Sequence, residues 1–282
     1  MDAHFNSNGP STPPRSSLAN IIQRRAELVR HFPLFAELSV EDCERVVALA
    51  HERSYRRGKT IFFEGDPVQH VVVLVSGCVK LLQVDWEGHE VILRLAGPGE
   101  SLSGECFPKF KHGSSAQAVK TSTALVWEAR HFETLAERFP ALGRNISCVL
   151  LRSLNQLEVR FREVCTEKVA PRLSSQLIRL VEQIGNNSEG PVEIGLGRRE
   201  LAQLTGTTLF TVSRLLGQWE AQRIVEPRRG GLRVLNMPAL EELSRGEEGL
   251  QRSEKRRANG EDPKGVCRLA EKHHCCAEAA KC

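Results

Sequence analysis

The stretch RRELAQLTGTTLFTVSRLLGQWE, residues 198–220, has two short apolar-patterned segments on either side of Gly206. In the first, Leu201 and Ala202 belong to an inward face. In the second, Val212 and Leu215 do. A small residue at Ala202 lets two helices cross closely, and glycine at 206 lets the chain bend sharply between them. This is the apolar pattern of a helix-turn-helix. The outer face of the second helix carries Phe210 and Arg214, where a solvated helix would carry Glu and Lys. Thr208, Leu209, Thr211 and Ser213 fall at or near the same N-terminal end, which in such a motif enters the DNA major groove. Just downstream, RIVEPRRGGLRVL (223–235) alternates around Gly230–Gly231 and predicts a β-hairpin wing. Between Arg198 and Arg233 stand seven Arg and three Glu. This excess of positive charge, which includes Arg198, Arg228 and Arg229, attracts phosphate without regard to sequence.

Working outward, KVAPRLSSQLIRLVEQIG (168–185) is amphipathic at helical spacing. Its Pro171 lies in the first turn, where a missing N–H costs little. Before it, Leu150, Leu154, Leu157, Phe161 and Val164 follow one another at intervals of four, three, four and three residues. That is the a/d seam of a two-stranded coiled coil and predicts a dimer helix; the alternative is a surface helix packed on its own domain. From about 54 to 130, short β-branched and aromatic runs (TIFFEG, HVVVLVSG, VKLLQVD, EVILRLAGPGE, ALVWEA) are bounded by turn residues. Glycines at 58, 65, 77, 88, 97, 99 and 104 punctuate them, which predicts a compact antiparallel sandwich or barrel. Residues 18–50 read as helix, with Ser39 as a cap for VEDCERVVALA.

The composition sets bounds. A chain of 282 residues, 40% hydrophobic and 26% charged, suggests two soluble domains. Its net charge of +4 does not by itself imply nucleic acid. No stretch approaches the ~18 apolar residues of a membrane span. The opening MDAHFNSNGPSTPPRSS reads as a disordered tail without the apolar core of a signal peptide. A cytoplasmic protein with reduced thiols is expected. Five scattered cysteines, at 43, 78, 106, 148 and 165, read as small buried hydrophobes. The expected division is a tail and helix start at 1–30, a β-roll sensor at 31–142, a dimerisation helix at 143–166, a DNA-binding domain at 167–243 and a charged linker with a tail at 244–282. In that tail Cys267, Cys275, Cys276 and Cys282 accompany His273 and His274. Thiolates and imidazoles suit zinc or an iron–sulfur cluster, which leaves a metal- or redox-sensing regulator open. The spacing matches no standard site.

With these pieces in place, the order of β-roll, long helix and winged helix-turn-helix resembles the Crp/Fnr family of bacterial transcription regulators. The carriers are HFPLFAELS (31–39), RRGKTIFFEGDP (56–67), GPGESLSGE (97–105) and GTTLFTVSRLLGQWE (206–220). The resemblance implies an α+β fold: an N-terminal antiparallel β-roll of the cyclic-nucleotide-binding type, a dimer helix and a C-terminal winged helix-turn-helix. It implies a homodimer, a palindromic DNA operator and RNA polymerase as partners, and a regulator rather than an enzyme. The sequence has no nucleophile motif, phosphate loop or His-x-His pair within 54–130, so a cupin-like metal-dependent oxygenase lacks its ligands.

The resemblance also marks an effector loop. Gly104 and Glu105 match the family's cyclic-AMP pattern, and so does Ser115. At the place of the Arg that pairs with the cyclic phosphate, however, this chain has Ser114, and the Thr–Ser pair that would meet the base is replaced by Leu157 and Glu158. Cyclic AMP is therefore disfavoured, and the effector or cofactor stays unassigned. In relatives with a known operator the place of Phe210 is typically Glu, which accepts from cytosine, and Arg214 matches the Arg that reads guanine.

Overall fold

The structure is a computed structural model that describes residues 15–102, 109–184 and 192–246. The chain forms two compact units, one up to Arg162 together with Gly195–Gly206, the other of Glu163–Ile194 together with Thr207 onward.

In the first unit, helices come before strands. Helix α1 (Arg15–Val29) leads to a single 3-10 turn at Pro33–Phe35, then to α2 (Val40–Val47). The continuous helical reading of 18–50 is thus corrected. Pro33 has no N–H to donate, and it opens a separate turn between two helices. Ser39 caps α2 by accepting the Asp42 N–H at 3.1 Å.

Seven strands follow: β1 (His51–Tyr55), β2 (Thr60–Phe62), β3 (His70–Ser76), β4 (Val79–Val84), β5 (Glu90–Ala96), β6 (Ser115–Ala118) and β7 (Ser122–Glu128). They form two antiparallel sheets, of order β1-β7-β3 and β2-β6-β4-β5. Strand β3 explains the architecture. Its run of valines is buried on both faces, because successive side chains point to opposite sides. Val72 and Leu74 join Leu81, Ala116 and Val126 in a core between the sheets. Val71 and Val73 join Leu125 and Trp127 in a second core under the helices. Helix α3 (Ala129–Arg138) and the start of α4 (Pro140–Thr166) complete that second core through Phe132, Leu142 and Ile146. Trp127 is fully buried, and its indole N–H donates to the Val46 carbonyl at 2.8 Å.

Gly77 joins β3 to β4 at φ 103°, in the left-handed region, and a Cβ there would lie 2.2 Å from the Ser122 hydroxyl oxygen. That oxygen accepts the Cys78 N–H at 3.1 Å and donates to the Lys120 carbonyl at 2.8 Å. Only glycine fits beside it.

Helix α4 runs 27 residues and starts at Pro140. Leu150, Leu154, Leu157, Phe161 and Val164 are all exposed on this single chain, Phe161 most of all at 70%.

In the second unit, α5 (Val169–Ile184) buries Leu173, Leu177 and Leu180. The end of α4 is tied to it. Arg179 forks onto both oxygens of the buried Glu163 carboxylate, each at 2.7 Å. Arg172 donates to the carbonyls of Val164 and Glu167, closing the C-terminal turn of α4. The wing has three strands, β8 (Val192–Ile194), β9 (Val225–Arg228) and β10 (Gly231–Val234), in the order β8-β10-β9. The sequence pattern shows the β9–β10 hairpin but not β8, which at three residues is too short for alternation to show. Helix α7 (Leu209–Ala221) and a last helix over 237–246 complete this unit, while α6 (Arg198–Thr205) falls in the first.

Candidate nucleic-acid interface

Helix α6 opens at Gly197, whose N–H donates to the Glu200 carboxylate at 2.8 Å. It closes at Gly206, which adopts φ 59° and ψ 49° and donates its N–H to the Ala202 carbonyl. An αL residue at this place ends a helix within one residue. Two residues later Thr208 caps α7, its hydroxyl accepting the Thr211 N–H at 3.2 Å and lying 2.9 Å from the Thr211 hydroxyl. The link between the two helices is therefore short because both ends are satisfied locally.

The faces of α7 are sharply divided. Val212, Leu215, Leu216 and Trp219 are buried. At about 100° per residue, Phe210, Arg214, Gly217 and Gln218 lie on the opposite side. All four are exposed, Phe210 at 78%. Leu209 is exposed at the first turn, and Thr211 and Ser213 are half-buried flanks. The N-terminal half of α7 thus offers an exposed apolar group and an arginine fork, chemistry that suits base edges.

The arginines of 198–233 are unevenly paired. In the wing, Arg228 pairs with Glu226 at 2.9 Å, and Arg233 pairs with Glu193 at 2.7 Å. Arg198, Arg199, Arg214, Arg223 and Arg229 are exposed and form no ion pair among the described residues. Arg229 sits at the β9–β10 turn.

Of the effector-loop residues, Gly104 and Glu105 lie outside the described residues. Ser114 is half-buried ahead of β6. The Ser115 hydroxyl accepts the Glu64 N–H at 2.9 Å, which ties β6 to the β2–β3 turn. The Cys/His-rich segment 267–282 and Cys106 also lie outside the described residues. Burial raises the Cys43 thiol, and it pushes the Cys78 thiol up to about 11. Both are held as unreactive thiols at neutral pH. Among the described residues, Asp85, Glu87 and His89 are a close trio of metal-ligating types, on the exposed β4–β5 turn. The Asp85 carboxylate there accepts the N–H groups of Glu87 and His89, both at 2.8 Å, which organises the turn.

A two-sheet roll joined by a long helix to a winged helix-turn-helix defines a DNA-binding transcription regulator with a cyclic-nucleotide-binding type of sensor fold. Comparison with known proteins agrees. The cyclic nucleotide-binding domain model matches residues 52–139, and the Crp-like helix-turn-helix domain model matches residues 171–243. The chain is 31% identical over 216 residues to the cyclic AMP receptor protein of Thermus thermophilus, covering 76% of this chain and 97% of that relative. It is 29% identical over 194 residues to the global nitrogen regulator of Synechococcus elongatus, covering 66% and 86%. In structure it is similar to FixK2 from Bradyrhizobium japonicum, with a TM-score of 0.62 and 23% identity, covering 69% and 96% of the two chains. The chain belongs to the Crp/Fnr family of transcription regulators. No helix among the described residues is long and apolar enough to cross a membrane.

Proposed function

We propose that this regulator is a homodimer that reads a two-fold symmetric operator through α7, under control of the β-roll. The division is a sensor at 31–142, a dimer helix at 143–166 and a DNA module at 167–243. The observation that carries the reading is the split of α7, with four apolar side chains buried and Phe210 and Arg214 exposed on the opposite face. Arg214 donates to the two acceptors of a guanine. Phe210 cannot accept from a cytosine amine, so it packs on a thymine methyl. Thr208, Leu209, Thr211 and Ser213 border the groove, while Arg198, Arg228 and Arg229 meet phosphates. The two copies pair along Leu150, Leu154, Leu157, Phe161 and Val164, which sets half-sites about one helical turn apart. RNA polymerase is the partner through which such a regulator acts, and the cytoplasm is where it meets DNA.

The relative named for cyclic AMP raises that nucleotide as an effector at Gly104, Glu105, Ser114 and Ser115. Ser114 supplies no positive charge for a cyclic phosphate, so cyclic AMP is disfavoured and the effector stays unassigned. Selection from a random DNA pool tests the reading of α7. Arg214→Ala is expected to lose about 1–3 kcal/mol and relax the choice at one guanine, and Phe210→Glu to change a thymine preference to cytosine. Unchanged preferences in both variants would remove α7 as the reading element.

A further inference from the structure

We propose that a cleft at the mouth of the β-roll, lined by Arg53, Tyr55, Phe62, Phe63, His70 and His112, binds a planar aromatic carboxylate. The cleft has a volume of about 440 Å³, within the range of small-molecule sites. Of the described effector-loop residues, neither Ser114 nor Ser115 lines it.

Its floor is apolar and comes from both sheets. Val72 of β3 and Val126 of β7 reach it from one sheet and Ile61 of β2 from the other. Its wall is flat and aromatic. The rings of Phe62 and His112 stack with centroids 3.7 Å apart and an interplanar angle of 9°. His112 is itself buried at 5% exposure, which fixes that wall. Phe63 projects at 60% exposure beside it. A stacked wall over an apolar floor favours a flat, unsaturated ligand body, because ring faces prefer offset ring partners.

The rim sets the charge. Asp66 is already engaged, since its carboxylate accepts the Phe63 N–H at 3.1 Å and closes the β2–β3 turn. Glu128, the acid nearest His70, pairs with His131 at 3.5 Å. Arg53 makes no ion pair among the described residues, and its guanidinium lies against the Tyr55 hydroxyl. Burial holds the Tyr55 phenol above its ordinary value, so the hydroxyl remains a donor at neutral pH. Burial first, and then the Arg53 charge, hold the His70 imidazole below its ordinary value, so it stays neutral there. The rim therefore presents the Arg53 cation and the Tyr55 O–H donor above a stacking surface, with the one lining carboxylate, Asp66, held to the Phe63 N–H. A carboxylate accepts from both at once, and charge-assisted bonds of this kind are about twice as strong as neutral ones.

The chain has a single tyrosine, which supplies the test. Full-length protein carrying ring-[13C]tyrosine has one phenol ring to observe by NMR. Titration with 2-naphthoate is expected to move that resonance saturably at submillimolar concentration. 2-Naphthalenemethanol, the same ring system without the charge, is expected to bind at least ~10-fold more weakly, as is naphthoate to Arg53→Gln. Arg53→Lys, which keeps the charge, should recover most of the affinity. Arg53 is exposed on β1, so these variants keep the core intact. No saturable shift up to ~1 mM, or equal binding of the alcohol and the acid, overturns the proposal. The alcohol comparison needs no variant and stands even if Arg53→Gln loses stability.

Discussion

Gly77 and Ser122 meet where there is no room for a Cβ. An alanine at 77 would need a positive φ and would press on a hydroxyl that already serves two backbone groups. Strain and overpacking of this kind each cost about 1–3 kcal/mol. Gly77→Ala is expected to lose about 3 kcal/mol and lower the melting midpoint by roughly 8 °C, which calorimetry would read. The residues proposed to meet DNA behave differently. Arg214 is exposed and unpaired among the described residues, so Arg214→Ala leaves the midpoint unchanged while it changes sequence choice. Thr208 stands between these cases. Its hydroxyl is spent on capping α7, so its loss costs about 1 kcal/mol of helix stability whatever it contributes at the groove.

At the scale of elements, α4 carries its apolar stripe into solvent on a lone chain, and in the proposed homodimer a second copy covers it. Leu154 and Leu157, each half exposed, lie on the stripe. Replacing both with Asp would place unpaired charge at the centre of the seam. Sedimentation is expected to show a monomer, with operator binding lost. At the end of the stripe, the Glu163–Arg179 fork and the Arg172 bonds hold the last turn of α4 to α5. How much of this the sequence discloses follows the length of each pattern. The divided face of α7 is legible because four apolar positions recur at helical spacing against Phe210 and Arg214. The five-position stripe of α4 is legible for the same reason. Strand β8 is not, since Val192–Ile194 is too short to alternate visibly. The helix of 18–50 reads too long because the apolar spacing continues through Pro33, although the missing N–H interrupts the hydrogen-bond ladder there. The Arg53–Tyr55–His112 cleft leaves no trace in the sequence, because β1 and the segment before β6 that carries His112 are far apart in the chain and meet only in the folded roll.

For the whole molecule, the charge is concentrated. The block from Arg198 to Arg233 has a net charge of +4, and so does the entire chain, so the remainder sums to zero. The net positive excess thus lies in one segment of the sequence. Affinity for DNA is expected to fall steeply with salt. Arg229→Ala, which removes an unpaired cation from the wing of each protomer, should lower the slope of log K against log salt by about 1–2 without changing sequence preference. Binding measured at several salt concentrations checks this. The three tryptophans carry another consequence, an optical one. Trp86 stands on the β4–β5 turn at 91% exposure, while Trp127 is sealed in the helix-side core of the roll and Trp219 lies on the buried face of α7. Iodide should therefore quench the red edge of the emission and leave a blue-shifted remainder, giving a Stern–Volmer plot that bends downward. Trp86→Phe should straighten that plot and leave two shielded indoles, one in each compact unit, so that the emission of a single-tryptophan variant reports the melting of one unit alone.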